Sequence, residues 1–596
     1  LIIKEKEDCM PDWSYHVLFK PWLSKLAPVT SREFIHKNMN RIACLPGGRS
    51  IIHFLGREEI SEKLTTSLGG EPIRGPVGLS GKIDPRLSGT KAFSHLGFSM
   101  IDVGPVTLEP QNGDFPERKE GRLLLPDHGE SIGLEETVRR LEKADAEIPY
   151  LFHLQGSQDE IVKMAEALKP FRGIFSVSHD KWSPNLVGKL SEWKPVFLRV
   201  PSKNVSEVDR FGGVAGFVLE ESGGEDNLEA HKKALEKLQG YDVVTVGGVK
   251  EPADAMALLS AGARMVFLST EYVEAGPGLP KRIHEALLDE RAQGGKEETG
   301  WMWYFLFGLA IFLGGILALV FSLTSVILPY DETFLGISRQ ELLLFNERIL
   351  WFMAHDRLTL AGTMISGGLL YMWLARYSVS KGEKWAKQAI DFAAIAGFLG
   401  ILFFIGYGYF DWLHLLFWII LLPLYVTGWI KSRGLSEKPA SKNRRNARTW
   451  LLGVYGQFCF VILGFSFVLG GIIISYIGVT GVFIPTDIEY LCMPPELIQN
   501  FNERLIPVIA HDRAGFGSAL FSVGSLVLMS ALWGYHQGKR WFWWMFLIGG
   551  IPAFAAGIFV HIMIGYTTFI HLLPAYIALF FYVGGLVLSY RYLMSK

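Results

Sequence analysis

Apolar and polar positions change their rhythm once along this chain, near residue 300. Before it, short apolar runs alternate with helical patterns. The runs read as strands at 77–79, where Val-Gly-Leu leads into Ser80-Gly81, then at 99–104, 149–154, 173–178, 195–200, 214–219 and 243–246. Between most of them apolar residues recur at helical spacing, as near 86–96. Such alternation predicts a parallel sheet. The number of units favours a closed (β/α)8 TIM-type barrel over an open doubly wound sheet. After residue 300 the apolar runs lengthen to about 20 residues, enough for a helix to cross a bilayer. Eight are read, near 302–328, 358–377, 388–409, 413–430, 450–480, 514–535, 541–562 and 570–592. The expected fold class is an α/β barrel followed by an all-α polytopic domain of eight transmembrane helices.

The second half repeats itself. PYDETFLGISRQELLLFNERILWFMAHDR at 329–357 returns as PTDIEYLCMPPELIQNFNERLIPVIAHDR at 485–513, an offset of 511 − 355 = 156. The same offset relates Gly314-Gly315 to Gly470-Gly471 and Trp385 to Trp541. With one inserted residue, Gly408-Tyr409 and His414 return as Gly565-Tyr566 and His571. Four spans per copy keep both copies in one orientation, which predicts two parallel four-helix repeats about an axis along the membrane normal. The domain reading is 1–45 N-terminal helices, 46–288 barrel, 289–300 polar linker, 301–431 first repeat, 432–448 basic linker and 449–596 second repeat.

Charge orients this arrangement. Loops 378–387, 431–448 and 536–540 are rich in Lys and Arg, whereas 329–345 and 485–500 carry more acids, and Asp411 lies in another such loop. The positive-inside rule then predicts an integral protein of the cytoplasmic membrane, with the barrel and both termini in the cytoplasm. Lys431, Arg433, Lys438, Lys442, Arg444, Arg445 and Arg448 are read as topology signals or contacts to anionic lipid. A net charge of −1 gives no bulk electrostatic reason to expect nucleic acid as a partner. Cys9, Cys44, Cys459 and Cys492 show no metal or CxxC spacing. The start, from Leu1, is polar and shows no cleavable signal pattern. Residues 13–26 mix Trp, Phe and Leu with Lys, as an amphipathic surface helix or an ordinary packing helix would.

Polar residues recur inside the apolar half. Glu347 and His355 are read on one helix face, and Glu503 and His511 repeat them. Asp356-Arg357 and Asp512-Arg513 fall where second spans enter the membrane, and His414 and His571 begin the fourth spans. Three readings stay open. One is a structural ion-pair network. The second is an anion, headgroup or proton site. The third is a haem or metal site built from His355 with His414 and, in the twin, His511 with His571.

Candidate chemistry in the first half concentrates in its last two units. Val246-Gly247-Gly248 ends a buried strand, and Val266-Phe267-Leu268-Ser269-Thr270 follows a helix. Loops after strands seven and eight of such barrels commonly hold phosphate on glycine N–H groups and a helix N-terminus. Gly247, Gly248, Ser269 and Thr270 are the candidates.

PVGLSGKID (76–84), LGFSMIDVGPVTLEPQ (96–111) and the block 246–283 together resemble dihydroorotate dehydrogenase, particularly its quinone-linked, membrane-associated class. The resemblance covers about residues 13–288, and the stretch 13–42 is similar to that class's quinone-tunnel helices. It implies an FMN-binding barrel with the phosphate at Gly247, Gly248 and Thr270. It further implies flavin contacts from Ser80, Gly81, Lys82, Ser176 and Arg199, a quinone acceptor and a small-molecule substrate. The departures are specific. The family's Ser or Cys base falls on His179, with Ser178 beside it. The flavin-side lysine after VGL is Pro85, with Lys82 nearby, and a second one is Arg199. The Asn-Thr pair expected after the sixth strand reads Leu219-Glu220-Glu221, and the Asn-rich orotate loops are absent. The expectation is a membrane-integrated flavin oxidoreductase acting on a substrate other than dihydroorotate. The alternative is a transporter or lipid-handling protein with a degenerate ligand-sensing barrel.

Overall fold

The computed structural model describes residues 12–56, 59–114, 116–119, 122–126, 129–144, 146–221, 227–291, 298–403, 409 and 412–595. Cys9, Gly408, Asp411 and the middle of the 289–300 linker lie outside the described residues. The chain forms two compact units, one of residues 1–292 with 440–451 and one of 293–439 with 452–596.

In the first unit eight parallel strands close into a barrel: β1 (Val77–Leu79), β2 (Met100–Val106), β3 (Tyr150–Leu154), β4 (Gly173–Ser178), β5 (Val196–Pro201), β6 (Gly216–Glu220), β7 (Asp242–Val246) and β8 (Met265–Leu268). Closure runs through β8 and β1, with Val266 opposite Val77 and Leu268 opposite Leu79. Successive side chains of a strand point to opposite faces, so each strand feeds two cores. Met100, Leu151, Ile174, Phe197, Val218, Val244 and Met265 fill the barrel interior. Their neighbours Ile101, Phe152, Phe175, Leu198, Phe217, Val243 and Val266 pack with the surrounding helices. Leu68 and Ile73, from the hairpin of Thr66–Leu68 and Glu71–Ile73, join the interior core. Gly247 and Gly248 follow β7 with φ of +79° and +76°, a region open to glycine at little cost.

Residues 440–451 belong to this unit. Arg444 donates to Asp289 at 2.9 Å, and its carbonyl accepts from the Ala253 amide at 2.9 Å. The Arg282 guanidinium pairs with Asp12 at 2.9 Å and lies over the Trp450 ring at 4.3 Å. Part of the segment read as a lipid-facing basic linker is thus spent on the barrel, because its backbone and Arg444 find acceptors there.

The second unit contains eight helices long and apolar enough to cross a membrane: α1 (Trp301–Thr324), α2 (Arg339–Tyr377), α3 (Lys384–Phe403), α4 (Trp412–Lys431), α5 (Arg448–Thr480, its first residues in the other unit), α6 (Leu505–Trp533), α7 (Arg540–Ile564) and α8 (Phe569–Leu593). Small residues let helices approach closely. A Cβ on Gly308 or Gly368 would strike the facing backbone or side chains of α2 and α1. Gly464 and Gly524 play the same part between α5 and α6. Helices α2 and α6 start well upstream of the expected 358 and 514. Each AHDR motif therefore lies inside a helix and not at its entry.

Candidate functional sites

The turns after β7 and β8, where the sequence reading places a phosphate, are occupied by the chain's own acids. Glu221, just past β6, lies against Gly247 so closely that a Cβ there would meet its Oε2 at 2.4 Å. Its Oε1 accepts from the Ser269 hydroxyl at 2.8 Å and pairs with Lys82 Nζ at 3.0 Å. The Gly247 N–H is spent on the Phe267 carbonyl at 2.9 Å. Glu271, in the helix Thr270–Ala275, uses the Gly248 backbone and its own. Burial raises the Glu271 carboxyl above the usual range, and neighbouring Glu221 adds to the rise. A flavin phosphate would bring more negative charge to donors already held by two carboxylates. As folded, these residues do not fit the group that the resemblance implies.

The barrel mouth beside these turns is also self-paired. Buried Arg199, on β5, donates to Asp102 of β2 in a short contact and to Ser176 Oγ at 2.9 Å, and reaches Glu220 at 3.4 Å. Ser176 passes its own hydrogen to the Phe152 carbonyl at 3.1 Å. Burial raises the Asp102 carboxyl above its usual range, with Arg199 opposing. Ser80 gives its amide to Leu268 at 3.0 Å, and the Gly81 amide faces Asp102 at 3.3 Å. Ser178 ends β4 and His179 opens the one-turn helix His179–Lys181, both half-buried. Sequence reasoning missed His231, whose ring is buried between the Ser202 hydroxyl at 2.7 Å and the Val246 carbonyl at 2.9 Å. Its signal was a lone histidine in an otherwise charged helix, Asn227–Lys237.

The N-terminal helices enclose a second site. The helix Pro28–Cys44 and the segment around Lys20–Leu23 cover a cavity of about 180 Å³, lined by Leu23, Ile35, Met39, Ile83, Phe93 and Tyr272 among others. His36 anchors this cover on Asp84 at 3.3 Å, and Tyr15 donates to the Val273 carbonyl at 2.5 Å. Leu18, Phe19, Trp22, Phe34 and Leu45 stay exposed, the apolar face expected of residues 13–26 and its continuation.

In the second unit the repeated ions cross-pair. Arg357 donates to Asp331 at 2.8 Å and to Asp512 at 2.7 Å. Arg513 donates to Asp487 at 2.5 Å and pairs with Asp356 at 3.4 Å. Val326 and Val482, both with φ near +60° (58° and 59°), offer their carbonyls to Arg357 and Arg513 at 2.5 and 2.6 Å. Tyr409 and Tyr566 cap Asp331 and Asp487. Asn346 breaks α2 and donates to the Leu491 carbonyl, while Asn502 precedes α6 and donates to Leu335. Phe345 stacks on Phe501 at 3.7 Å. Asp331, Asp356 and Arg357 each have their counterpart in the second copy 156 positions on, for example 512 − 356, so every cross-pair in one direction has its equivalent in the other.

The histidines do not pair as expected. His414 lies against His511 with ring centroids 4.9 Å apart, and His355 lies with His571 at 5.8 Å. The α2 helix packs against α7, so His355 meets the end of the other copy. His561, overlooked in the sequence, joins it: the His355 and His561 Nε2 atoms are 2.9 Å apart, and His571 Nε2 is 3.0 Å from His561 Nε2. Axial histidines on a haem stand roughly 4 Å apart, twice a metal–nitrogen bond, so no haem plane fits at the His355–His561 or His561–His571 separation. Glu347 and Glu503 are exposed and stay outside the cluster. Eight residues of helix turn the face by about 80°, which separates Glu347 from His355. The acids buried around the two arginines are instead Asp331, Asp356, Asp487 and Asp512.

No family model matches the chain. A quinone-type dihydroorotate dehydrogenase of Christiangramia forsetii is 23% identical over 340 residues, covering 46% of this chain and 99% of that protein. One from Thermus thermophilus is 26% identical over 288 residues, covering 38% and 83%. Crystal structures of Eimeria tenella dihydroorotate dehydrogenase, with ferulenol and ligand-free, are 15% identical with TM-scores of 0.36 and 0.37. They cover 44% and 43% of this chain and 91% and 93% of their own. Part of this chain is therefore similar, at low identity, to quinone-type dihydroorotate dehydrogenases.

Proposed function

We propose that this protein is a membrane-integrated relative of the quinone-linked dihydroorotate dehydrogenases whose barrel binds a flat apolar ligand of the quinone class without flavin chemistry. The observation that carries this reading is the Glu221 carboxylate seated against Gly247 and bonded to Ser269. The apolar cavity under the Pro28–Cys44 helix supplies the ligand site. Quinone as ligand class rests on the names of the relatives and on that lining. On this reading Arg199 is a structural cation, because Asp102, Glu220 and Ser176 already use it. The domain reading given by the sequence is retained, with 440–451 assigned to the barrel unit.

The test uses the full chain purified in detergent. Its absorbance spectrum is expected to lack flavin bands, and added FMN to pass through gel filtration unbound. A short-chain quinone analogue is expected to bind saturably, and Met39→Trp, which fills the cavity, to abolish that binding. Stoichiometric flavin in the purified protein overturns the reading. That result favours the second one, a flavin oxidoreductase feeding quinone with His179 or Ser178 as base, which the similarity over 99% of the Christiangramia forsetii protein supports.

A further inference from the structure

We propose that His355, His561 and His571 form a three-imidazole site for a divalent transition metal of borderline softness, Zn²⁺ first. Their ligand atoms all lie within 4.8 Å of one another. Two of the Nε2 separations are 2.9 and 3.0 Å. Tetrahedral zinc with bonds of about 2.0–2.1 Å holds its nitrogens about 3.3 Å apart. Those two separations need open by only a few tenths of an ångström, and the third, between His355 and His571, lies within 4.8 Å and closes as the rings turn onto the ion.

The outer nitrogens show why a cation belongs there. His355 Nδ1 faces the Asp356 carboxylate at 2.9 Å. His561 Nδ1 faces the Gly557 carbonyl in a short contact. Both partners only accept, so both Nδ1 atoms carry hydrogen, and in neutral imidazoles both Nε2 atoms are then lone pairs. Two lone pairs at 2.9 Å repel unless a shared proton or a metal ion lies between them. Metal-bound histidines almost always carry such an outer acceptor, which fixes ring and tautomer. His355 and His561 are buried, and Tyr566 stacks on His571 at 4.1 Å.

The site is one-sided. His355 matches His511 and His571 matches His414, but with the downstream offset of 157, as in 571 − 414, His561 matches Phe404. Among the described residues, only one of the two related clusters gathers three histidines. Three protein ligands leave a fourth position for water or a small ligand, the pattern of zinc sites that do chemistry. The second-half histidines thus acquire a role separate from the barrel.

The full chain in detergent is stripped with chelator, loaded with Zn²⁺ or Co²⁺ and gel-filtered. Expected are one metal per chain and, for Co²⁺, the intense visible bands of a tetrahedral nitrogen site, shifting when azide enters the fourth position. His561→Phe, which installs the residue found at the matching position, is expected to lower affinity by at least about 10–100-fold, the loss typical even of outer partners. His414→Phe is expected to retain the metal. His571→Gln gives a second reading with the same expected loss, should His561→Phe fail to elute as folded protein. Metal well below one per chain after loading overturns the proposal, and so does metal that both ligand variants retain, which marks adventitious binding. Loss of metal in His414→Phe as well overturns the one-sided assignment.

Discussion

Ser269 donates its hydroxyl hydrogen to Glu221 at 2.8 Å, so a side chain that follows the sixth strand reaches the turn after the eighth. Glu221→Gln combined with Glu271→Gln removes two negative charges while leaving amide oxygens to accept the same hydrogens. An anion then meets Lys82 and Ser269 without opposing carboxylates. Affinity for FMN or inorganic phosphate is expected to rise at least about tenfold, the effect of removing close like charges in a screened site. Flavin-fluorescence quenching on titration of the double variant measures it, and an unchanged affinity shows that the acids are not what excludes the anion.

Burial raises Glu271 and Asp102 above their usual carboxyl range. Both groups bind a proton more tightly folded than unfolded. The stability they contribute is fully present below the unfolded value of about 4 and is lost as pH rises through the raised folded value. The unfolding temperature of the barrel is therefore expected to fall less between pH 5 and neutrality, a range of roughly two units, in Glu271→Gln than in the parent. Differential scanning calorimetry of the two proteins across that range decides it; parallel curves count against a raised Glu271.

Arg357 ties Asp331 and Asp512 together, and Arg513 does the same for Asp487 and Asp356. Removing one cation strands two buried carboxylates, at a cost on the order of 3–5 kcal/mol. Arg357→Ala is expected to lower the melting temperature in detergent sharply. Arg357→Met with Asp331→Asn and Asp512→Asn is expected to recover much of the loss, since the uncompensated charge is gone. If the triple variant melts no higher than Arg357→Ala, the ion network matters for packing and not for charge.

The barrel was legible because each strand is a short apolar run closed by turn residues. Val243–Val246 and Gly247-Gly248 carry both parts of that signal. The substrate loops were legible only as departures: Glu220-Glu221 stood where amides were expected, but no periodicity says that Glu221 folds back over Gly247. Helix starts in the membrane half were placed late because the spans were cut to the uninterrupted apolar runs, which leave FNER and AHDR outside. There, polarity is absorbed by partners 150 or so positions away, such as Asp512 for Arg357. His561 was missed for the same reason. It sits alone in an apolar span, and only the packing of α7 on α2 brings its Nε2 to His355.

Gly336 and Cys492 stand 156 positions apart, and both close short helices, Pro329–Leu335 and Pro485–Leu491, in the left-handed conformation. Gly336 has φ of +71° and Cys492 of +50°. The glycine adopts this region freely, whereas a residue with a Cβ loses roughly 1–2 kcal/mol there. The Cys492 side chain is exposed, and its contact with Arg348 at 2.9 Å duplicates a bond that Arg348 already gives to the Tyr490 carbonyl at 2.7 Å. Little packing is therefore lost on its removal. Cys492→Gly is expected to stabilise the second unit by about 1 kcal/mol, and the reverse change, Gly336→Cys, to destabilise it by a similar amount. Thermal unfolding of both variants in the same detergent tests the pair. Equal melting temperatures for Cys492→Gly and the parent would mean that the cysteine's own contacts offset the backbone cost.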